Sequence, residues 1–251
     1  MAPWSATRSP SPSTSRPSSR REPNRNAGPG SPQPVRPARR CTPPTWLTAE
    51  KEKTMEIGII GAGQVGQAVG RQLARVGHRV KLSSARGAEA LTPVAQDIGA
   101  EAASVTAAAA SEIVLLAVPW WAVPEVLDPL PDWQGRILID ATNPFISFDP
   151  LELADLEGGS ASVVVAKHAP GARVVKAFNS IGMVNFEKGP QEGTARRVLF
   201  VSGDDAGAKQ TVHQLIGDLG YVPIDLGGLD EGGRLQQAGG PLAGHDLLAA
   251  E

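Results

Sequence analysis

The sequence predicts an α/β fold, a doubly wound and mostly parallel sheet in one compact domain that follows a disordered extension. Two observations carry this prediction. Short β-rich apolar runs alternate with segments of helical periodicity along residues 56–224. A glycine motif at residues 61–66 also lies between the first strand and the first helix, as it does in nucleotide-binding βαβ units.

The predicted extension is residues 1–54, and the composition changes where it ends. It holds 11 of the 22 prolines, ten Lys and Arg, and three acids, with no apolar periodicity. Such a segment buries too little surface to offset the entropy of ordering. A second interpretation is that translation starts at Met55, because Lys51-Glu52 can be encoded by AAG-GAG, a ribosome-binding sequence. Residues 55–251 are the predicted folded domain.

Charge and cysteine content restrict the function of that domain. Residues 55–251 contain 14 Lys and Arg against 23 Asp and Glu, a net charge of −9 that argues against non-specific nucleic-acid binding. The longest apolar run, residues 113–124, is too short for a membrane span and contains Pro119. Cys41 is the sole cysteine, and the four histidines lack ligand spacing, so no metal site is predicted. We expect a cytoplasmic protein.

Each element has its own signal. The strands are predicted from β-rich apolar runs at residues 56–60, 79–82, 102–104, 113–117, 137–140, 173–177, 197–202 and 221–224. The helices are predicted from apolar periodicity or helix-forming composition at residues 65–76, 91–98, 106–112, 120–127, 160–168 and 205–219. Gly77 is expected at the C′ position of the first helix, and Asp204 is expected to be the N-cap of the last. After Leu226 the chain is glycine-rich, which predicts either a flexible end or a loop lying close over a ligand cleft.

The G-x-G-x-x-G motif predicts a dinucleotide site of the Rossmann type. Gly61 makes the turn, Gly63 lets the backbone reach the pyrophosphate, and Gly66 allows close packing of helix on strand. The pyrophosphate would lie at the positive N-terminus of the helix. The predicted cradle is the whole motif: Gly61, Ala62, Gly63, Gln64, Val65 and Gly66.

The end of the second strand indicates which nucleotide is bound. NAD sites usually have an acid there for the ribose hydroxyls, whereas this strand ends in Ser83, Ser84 and then Arg86. A guanidinium can pair with a 2′-phosphate bidentately, and serine hydroxyls can donate to it. The sequence therefore predicts NADP(H) rather than NAD. The alternative is that Arg86 is a solvated loop residue.

Two further segments follow the strands at residues 113–117 and 137–140. Ligands bind at the carboxyl ends of such strands, so three residues of the first segment are predicted to wall the cleft: Val118, Pro119 and Trp120. Trp121 is expected to pack against the helix it begins. In the second segment, Asn143 and Pro144 are predicted to position the nicotinamide or its ribose, while Asp140 is as well explained as a structural acid.

A wider set of motifs resembles a known family. The stretches GIIGAGQVG, LSSARG, AVPWW, DATNP, VVKAFNSIG, VSGDDAGAK and GGPLAGH are similar to those of the NADPH-dependent reductases of the deazaflavin coenzyme F-420. The cytoplasmic domains of metalloreductases that pass electrons from NADPH to a flavin are similar too. The resemblance covers essentially Met55 to the end of the chain.

The resemblance implies two cofactors: NADP(H), and coenzyme F-420 or a flavin as its redox partner. It places the deazaflavin between two segments, namely Asn179, Ser180 and Ile181 on one side and Gly239, Gly240 and Pro241 on the other. Arg173 and Lys176 could meet anionic groups, although a strand lysine is more often solvated. No site for the acidic tail of the coenzyme can be placed.

No catalytic side chain is predicted, because the motif segments show no nucleophile–base pair and hydride transfer between two ring systems needs none. Two alternatives remain. One is an imine reductase of the pyrroline-carboxylate kind, and the other is a non-catalytic NADP sensor. The expected partners are small-molecule redox cofactors, with no nucleic acid or membrane partner and with homodimer formation left open.

Overall fold

The computed structural model describes residues 54–250. The predicted disorder of residues 1–54 therefore lies outside the described residues, apart from Thr54, which is exposed. No helix within residues 54–250 combines the length and hydropathy needed to cross a membrane.

A ten-stranded sheet forms the centre of the described chain. Its strands are β1 Glu56–Ile60, β2 Arg79–Ser83, β3 Glu101–Ala102, β4 Ile113–Leu116, β5 Ile137–Asp140, β8 Arg173–Lys176, β9 Gln191–Glu192, β10 Ala195–Gly203, β11 Val222–Asp225 and β12 Leu248–Ala249. Their order across the sheet is β11-β10-β8-β5-β4-β1-β2-β3, with β9 and β12 paired to β10. Six neighbouring strands of this order, β8, β5, β4, β1, β2 and β3, are parallel to one another, whereas β10 runs antiparallel to β8. Two more strands, β6 Phe145–Phe148 and β7 Leu151–Leu153, make a separate antiparallel hairpin.

A helix lies between most pairs of consecutive strands along the described chain. The helices are α1 Gln64–Arg75, α2 Ala88–Ile98, α3 Val105–Ala109, α4 Val123–Leu127, α5 Ala161–Lys167, α6 Met183–Glu187, α7 Ala206–Asp218 and α8 Glu231–Gln236. A 3-10 turn, Trp120–Ala122, precedes α4. Gly77 has φ +94° after the end of α1, as its predicted C′ position requires.

Both faces of the sheet are covered by apolar packing. Along β4, Ile113 and Leu115 belong to one buried cluster, while Val114 and Leu116 belong to a second cluster on the other face. Such alternation with burial on both sides is the property of a doubly wound sheet. The predicted Rossmann-type fold is confirmed.

Part of the glycine-rich segment after Leu226 forms helix α8, which neither prediction included. A Cβ added at Gly232 would lie 2.6 Å from the Ser202 hydroxyl and 2.7 Å from the Leu226 carbonyl oxygen. The glycine therefore lets α8 pack against β10. The α7 cap also differs. Asp205 is the N-cap, accepting from the Ala208 amide at 2.7 Å.

Candidate functional site

A cleft of about 580 Å³ opens at the carboxyl ends of β1, β2 and β4. It combines the glycine turn, the loop after β2 and the segment after β4. Its lining residues are Ile60, Gly61, Ala62, Gly63, Ser84, Ala85, Arg86, Val105, Thr106, Ala117, Val118, Pro119, Trp121, Ala122, Glu125, Val126, Pro129 and Leu130. The structure thus brings the glycine turn, Gly61 and Gly63, together with Arg86 and Pro119, which lie far from it in the sequence.

The glycine turn has the shape of a cradle. Gly61 has φ +118°, which favours glycine, and its amide donates to the Ser83 carbonyl oxygen at 2.9 Å. Gly66 packs against the Gly61 carbonyl oxygen, so a side chain there would collide with backbone. Gly63 is different, because a Cβ at Gly63 would meet nothing within 4 Å. As the N-cap of α1 without a side-chain cap, it leaves space and free amides for an anion.

The three residues predicted to hold a 2′-phosphate do not share one environment. Ser83 is fully buried, and its hydroxyl donates to the Ile59 carbonyl oxygen at 2.8 Å. The prediction that Ser83 faces the phosphate is therefore wrong, because this hydroxyl is used between β1 and β2. Ser84 and Arg86 do line the cleft, and the Ser84 hydroxyl accepts from the Arg86 amide at 3.2 Å.

The two tryptophans exchange their predicted positions. Trp121 was expected to pack against its helix, but it is 69% exposed and lines the cleft. Trp120 was expected to wall the cleft, but it is half-buried and packs against the second core cluster. The 3-10 geometry turns consecutive side chains to different sides.

Beyond the cleft, a bracket of hydrogen bonds joins the ends of β5 and β8 to the C-terminal segment. The Asn143 Nδ2 donates to the Asn179 carbonyl oxygen at 2.9 Å. In return, the Asn143 Oδ1 accepts from the Asn179 Nδ2 at 3.2 Å and from the Ala238 amide at 2.9 Å. The Asn143 side chain is thus largely engaged by the protein, so its role is to hold three segments together.

A buried ion pair supports this bracket. The Lys176 Nζ lies 3.0 Å from the Asp140 Oδ2 and donates to the Thr142 carbonyl oxygen at 3.0 Å, and both charged side chains are fully buried. Asp140 also accepts from the Ser162 hydroxyl at 2.5 Å and from the amide and hydroxyl of Thr142. The expectation that Lys176 is solvated is wrong. Its charge balances Asp140, which has the structural role weighed from the sequence.

The remaining predicted residues divide between core and surface. Ile181 is buried in the first core cluster, and the Ser180 carbonyl oxygen accepts from the Gly244 amide at 2.7 Å.

Pro144, Gly239 and Gly240 line a second cavity of about 280 Å³, whose other walls are Leu153, Ala154, Leu156, Gly158, Gly159, Arg234, Gln237 and Ala238. Pro241 is exposed, and Gln64 and Val65 belong to α1. Arg234 and the β6–β7 hairpin carried no sequence signal for this site.

Titratable groups with a shifted pKa lie away from both cavities. Burial raises the pKa of the Tyr221 phenol, which donates to the Phe186 carbonyl oxygen at 2.9 Å. Hydrogen bonding to Asp246 raises the pKa of the buried Arg197 guanidinium. Within residues 54–250 there is no group of three His, Cys, Asp or Glu side chains arranged to hold a metal ion.

The fold and the cleft define a dinucleotide-binding protein of the Rossmann type, with a cation in place of the acid of NAD sites. The sequence profile of the family described as NADP oxidoreductase, coenzyme F420-dependent, matches residues 56–144, and the chain belongs to this family.

The chain is similar to two solved structures and a curated relative. A hypothetical protein, SMa0349 from Sinorhizobium meliloti, is 35% identical, with a TM-score of 0.73 over 78% of this chain and 96% of its own. A candidate F420-dependent NADP-reductase from Arthrobacter sp. FB24 is 28% identical, with a TM-score of 0.58 over 70% of this chain and 86% of its own. The metalloreductase STEAP3 of Rattus norvegicus is 26% identical over 73% of this chain, which spans 36% of that relative. The chain therefore covers about a third of the curated relatives it matches.

Proposed function

We propose that this protein transfers a hydride between NADP(H) and a deazaflavin such as coenzyme F-420, or a flavin. The observation that carries the proposal is the cleft itself. It runs from an open glycine cradle at Gly63 to a cation, Arg86, at the place where NAD sites have an acid. The family membership and the relatives above support the same class of reaction.

The assignment of each end of the cleft follows from charge and space. The free amides at the start of α1 suit the pyrophosphate, and the Arg86 guanidinium with the Ser84 hydroxyl suits a 2′-phosphate. The nicotinamide would then lie toward Pro119 and the Asn143 bracket. There the ends of β5 and β8 are joined by a fully buried ion pair, Lys176–Asp140.

The chemistry requires positioning rather than a catalytic acid or base. The two cofactors themselves supply the hydride and its acceptor carbon. The protein would bind both rings, hold them at reacting distance and exclude water from the space between them. The bracket of Asn143, Asn179 and Ala238 suits this task, because it fixes three segments with side-chain and backbone hydrogen bonds.

An imine reductase of the pyrroline-carboxylate kind fits less well. Those enzymes have a substantial helical dimerisation domain after the nucleotide domain. Within the described part of this chain, the segment after β5 returns to the same sheet as β8 and β10, and its longest helix is the 13-residue α7. The partners expected for the proposed function are small molecules.

The experiment is to mix the purified protein with NADPH and coenzyme F-420, and then with NADPH and flavins, while following the absorbance of both rings. The expected result is matched loss of NADPH and of oxidised acceptor, with NADH much less effective. A protein that binds NADPH without oxidising it in the presence of any of these acceptors would instead be a sensor.

A further inference from the structure

The second cavity contains one charged lining side chain. Of the eleven residues around the 280 Å³ space, Arg234 is the one with an ionisable group. The rest are glycine, apolar residues and Gln237, which is held by the protein: its Oε1 accepts from the Ala161 amide at 2.8 Å, and its Nε2 donates to the Gly159 carbonyl oxygen at 3.3 Å. Any charged recognition in this cavity must therefore come from Arg234.

The Arg234 guanidinium is only loosely engaged. One nitrogen donates to the Gly158 carbonyl oxygen at 3.3 Å, and another lies 3.6 Å from the Asp230 Oδ2, beyond hydrogen-bond distance. Asp230 uses its other oxygen to accept from the Ser160 amide at 2.8 Å. Because a guanidinium has five N–H donors, Arg234 retains several for a ligand, and its side chain is 47% exposed at the cavity.

The cavity adjoins the bracket where the two rings would meet. Pro144 follows Asn143 directly, and Ala238 donates its amide to the Asn143 Oδ1 at 2.9 Å; both Pro144 and Ala238 line the cavity. The nucleotide cleft is lined by other residues, among them Val118 and Pro119. A molecule in the second cavity would therefore lie beside the Asn143 bracket without occupying the nucleotide cleft.

We propose that Arg234 binds an anionic group, a phosphate or a carboxylate, on the side chain of the hydride acceptor. This inference rests on the proposed function and adds the chemical class of the acceptor. Arg234 is the one lining side chain of this cavity that can make a charge-assisted contact with such a group.

The test compares acceptors with and without an anionic side chain. Riboflavin and flavin mononucleotide differ only by a phosphate; the second pair is the bare deazaflavin nucleoside and coenzyme F-420, which adds a phosphodiester and a carboxylate-bearing tail. Dissociation constants are measured from the fluorescence of the acceptor with NADP⁺ saturating, so that no turnover is needed. We expect the anionic member of at least one pair to bind about tenfold more tightly, as one charge-assisted contact allows.

The variants separate recognition from structure. Arg234→Gln should remove the preference while leaving the affinity for the neutral member unchanged, and Arg234→Lys should restore part of it. The control is Arg75→Gln, an exposed arginine in the last turn of α1, which should change neither value. Inorganic phosphate should compete with the anionic member alone.

Three results would overturn the inference: equal affinities within both pairs, no binding of any acceptor, or a parallel loss for neutral and anionic acceptors in Arg234→Gln. The last would mean that the Gly158 contact merely shapes the cavity wall. Failure of the proposed function is a separate result. It would appear as absence of NADPH oxidation in single-turnover mixing, even with binding preferences intact.

Discussion

Replacement of Lys176 by methionine should destabilise the protein by about 3 kcal/mol, because it leaves the Asp140 carboxylate buried without its cation. The ammonium makes two contacts, to the Asp140 Oδ2 and the Thr142 carbonyl oxygen, both at 3.0 Å. Three neutral donors remain on the carboxylate, from the Ser162 hydroxyl and from the amide and hydroxyl of Thr142. These donors place the expected cost at the lower end of about 3–5 kcal/mol for a broken buried pair.

The assay is urea unfolding of the single variants Lys176→Met and Asp140→Asn and of the double variant. Removing both charges leaves no unpaired buried ion, so the double variant should lose much less than the sum of the two single losses. The control is Lys209→Met, whose partner Asp225 lies 2.9 Å away near the surface. That loss should stay below about 1 kcal/mol.

Additive losses in the double variant, or a Lys176→Met cost no larger than that of Lys209→Met, would refute the assignment of the buried pair as a support for the bracket. A shift confined to the slope of the unfolding curve would indicate a change in the denatured state instead.

Three further predictions concern the nucleotide cleft and the core. Gly63→Val should abolish NADPH binding, as measured by fluorescence titration, because the valine side chain would fill the space of the pyrophosphate. Circular dichroism should stay native, because a Cβ at this position meets no protein atom within 4 Å. Arg86→Ala should weaken NADPH binding by about tenfold to a hundredfold and leave NADH unchanged; equal losses would assign Arg86 to the fold. Tyr221 has a pKa raised by burial, so its stabilisation is present below about pH 10 and is lost above it. Tyr221→Phe should cost about 1 kcal/mol at neutral pH and flatten that alkaline loss of stability in urea unfolding; an unchanged alkaline loss would assign it to other groups.

Five of the six parallel strands could be predicted from the sequence because each is a short β-rich run bounded by turn residues. The sixth, β3, is only Glu101–Ala102 and overlaps the strand predicted at residues 102–104 by one residue. The glycine turn was equally readable, since its spacing between a strand and a helix is specific. The pairing of Lys176 with Asp140 shows which information the sequence lacks. Asp140 and Lys176 are the last residues of two strands that turn out to be neighbours, in direct register. Without the strand order, nothing in the sequence paired them.

The direction of individual side chains was the second feature that the sequence did not predict. The sequence indicated a serine pair after β2 and a tryptophan pair after β4, but it did not indicate which member of each pair faces the cleft. Ser83 is the last residue of β2, so its side chain points inward and Ser84 follows outside the strand. For the tryptophans, a single 3-10 turn decides the outcome. Helix α8 was missed because glycine lowers helix propensity, while here tight packing against β10 requires it.

The bracket at Asn143 also depends on how much of the chain has been synthesised. The parallel strands that carry the nucleotide cleft are all present once the chain has reached Lys176. The contact between Asn143 and Ala238, by contrast, spans 95 residues. It can form only after synthesis has passed Ala238. The first core cluster also waits for later residues, because it includes both Ile57 and Tyr221.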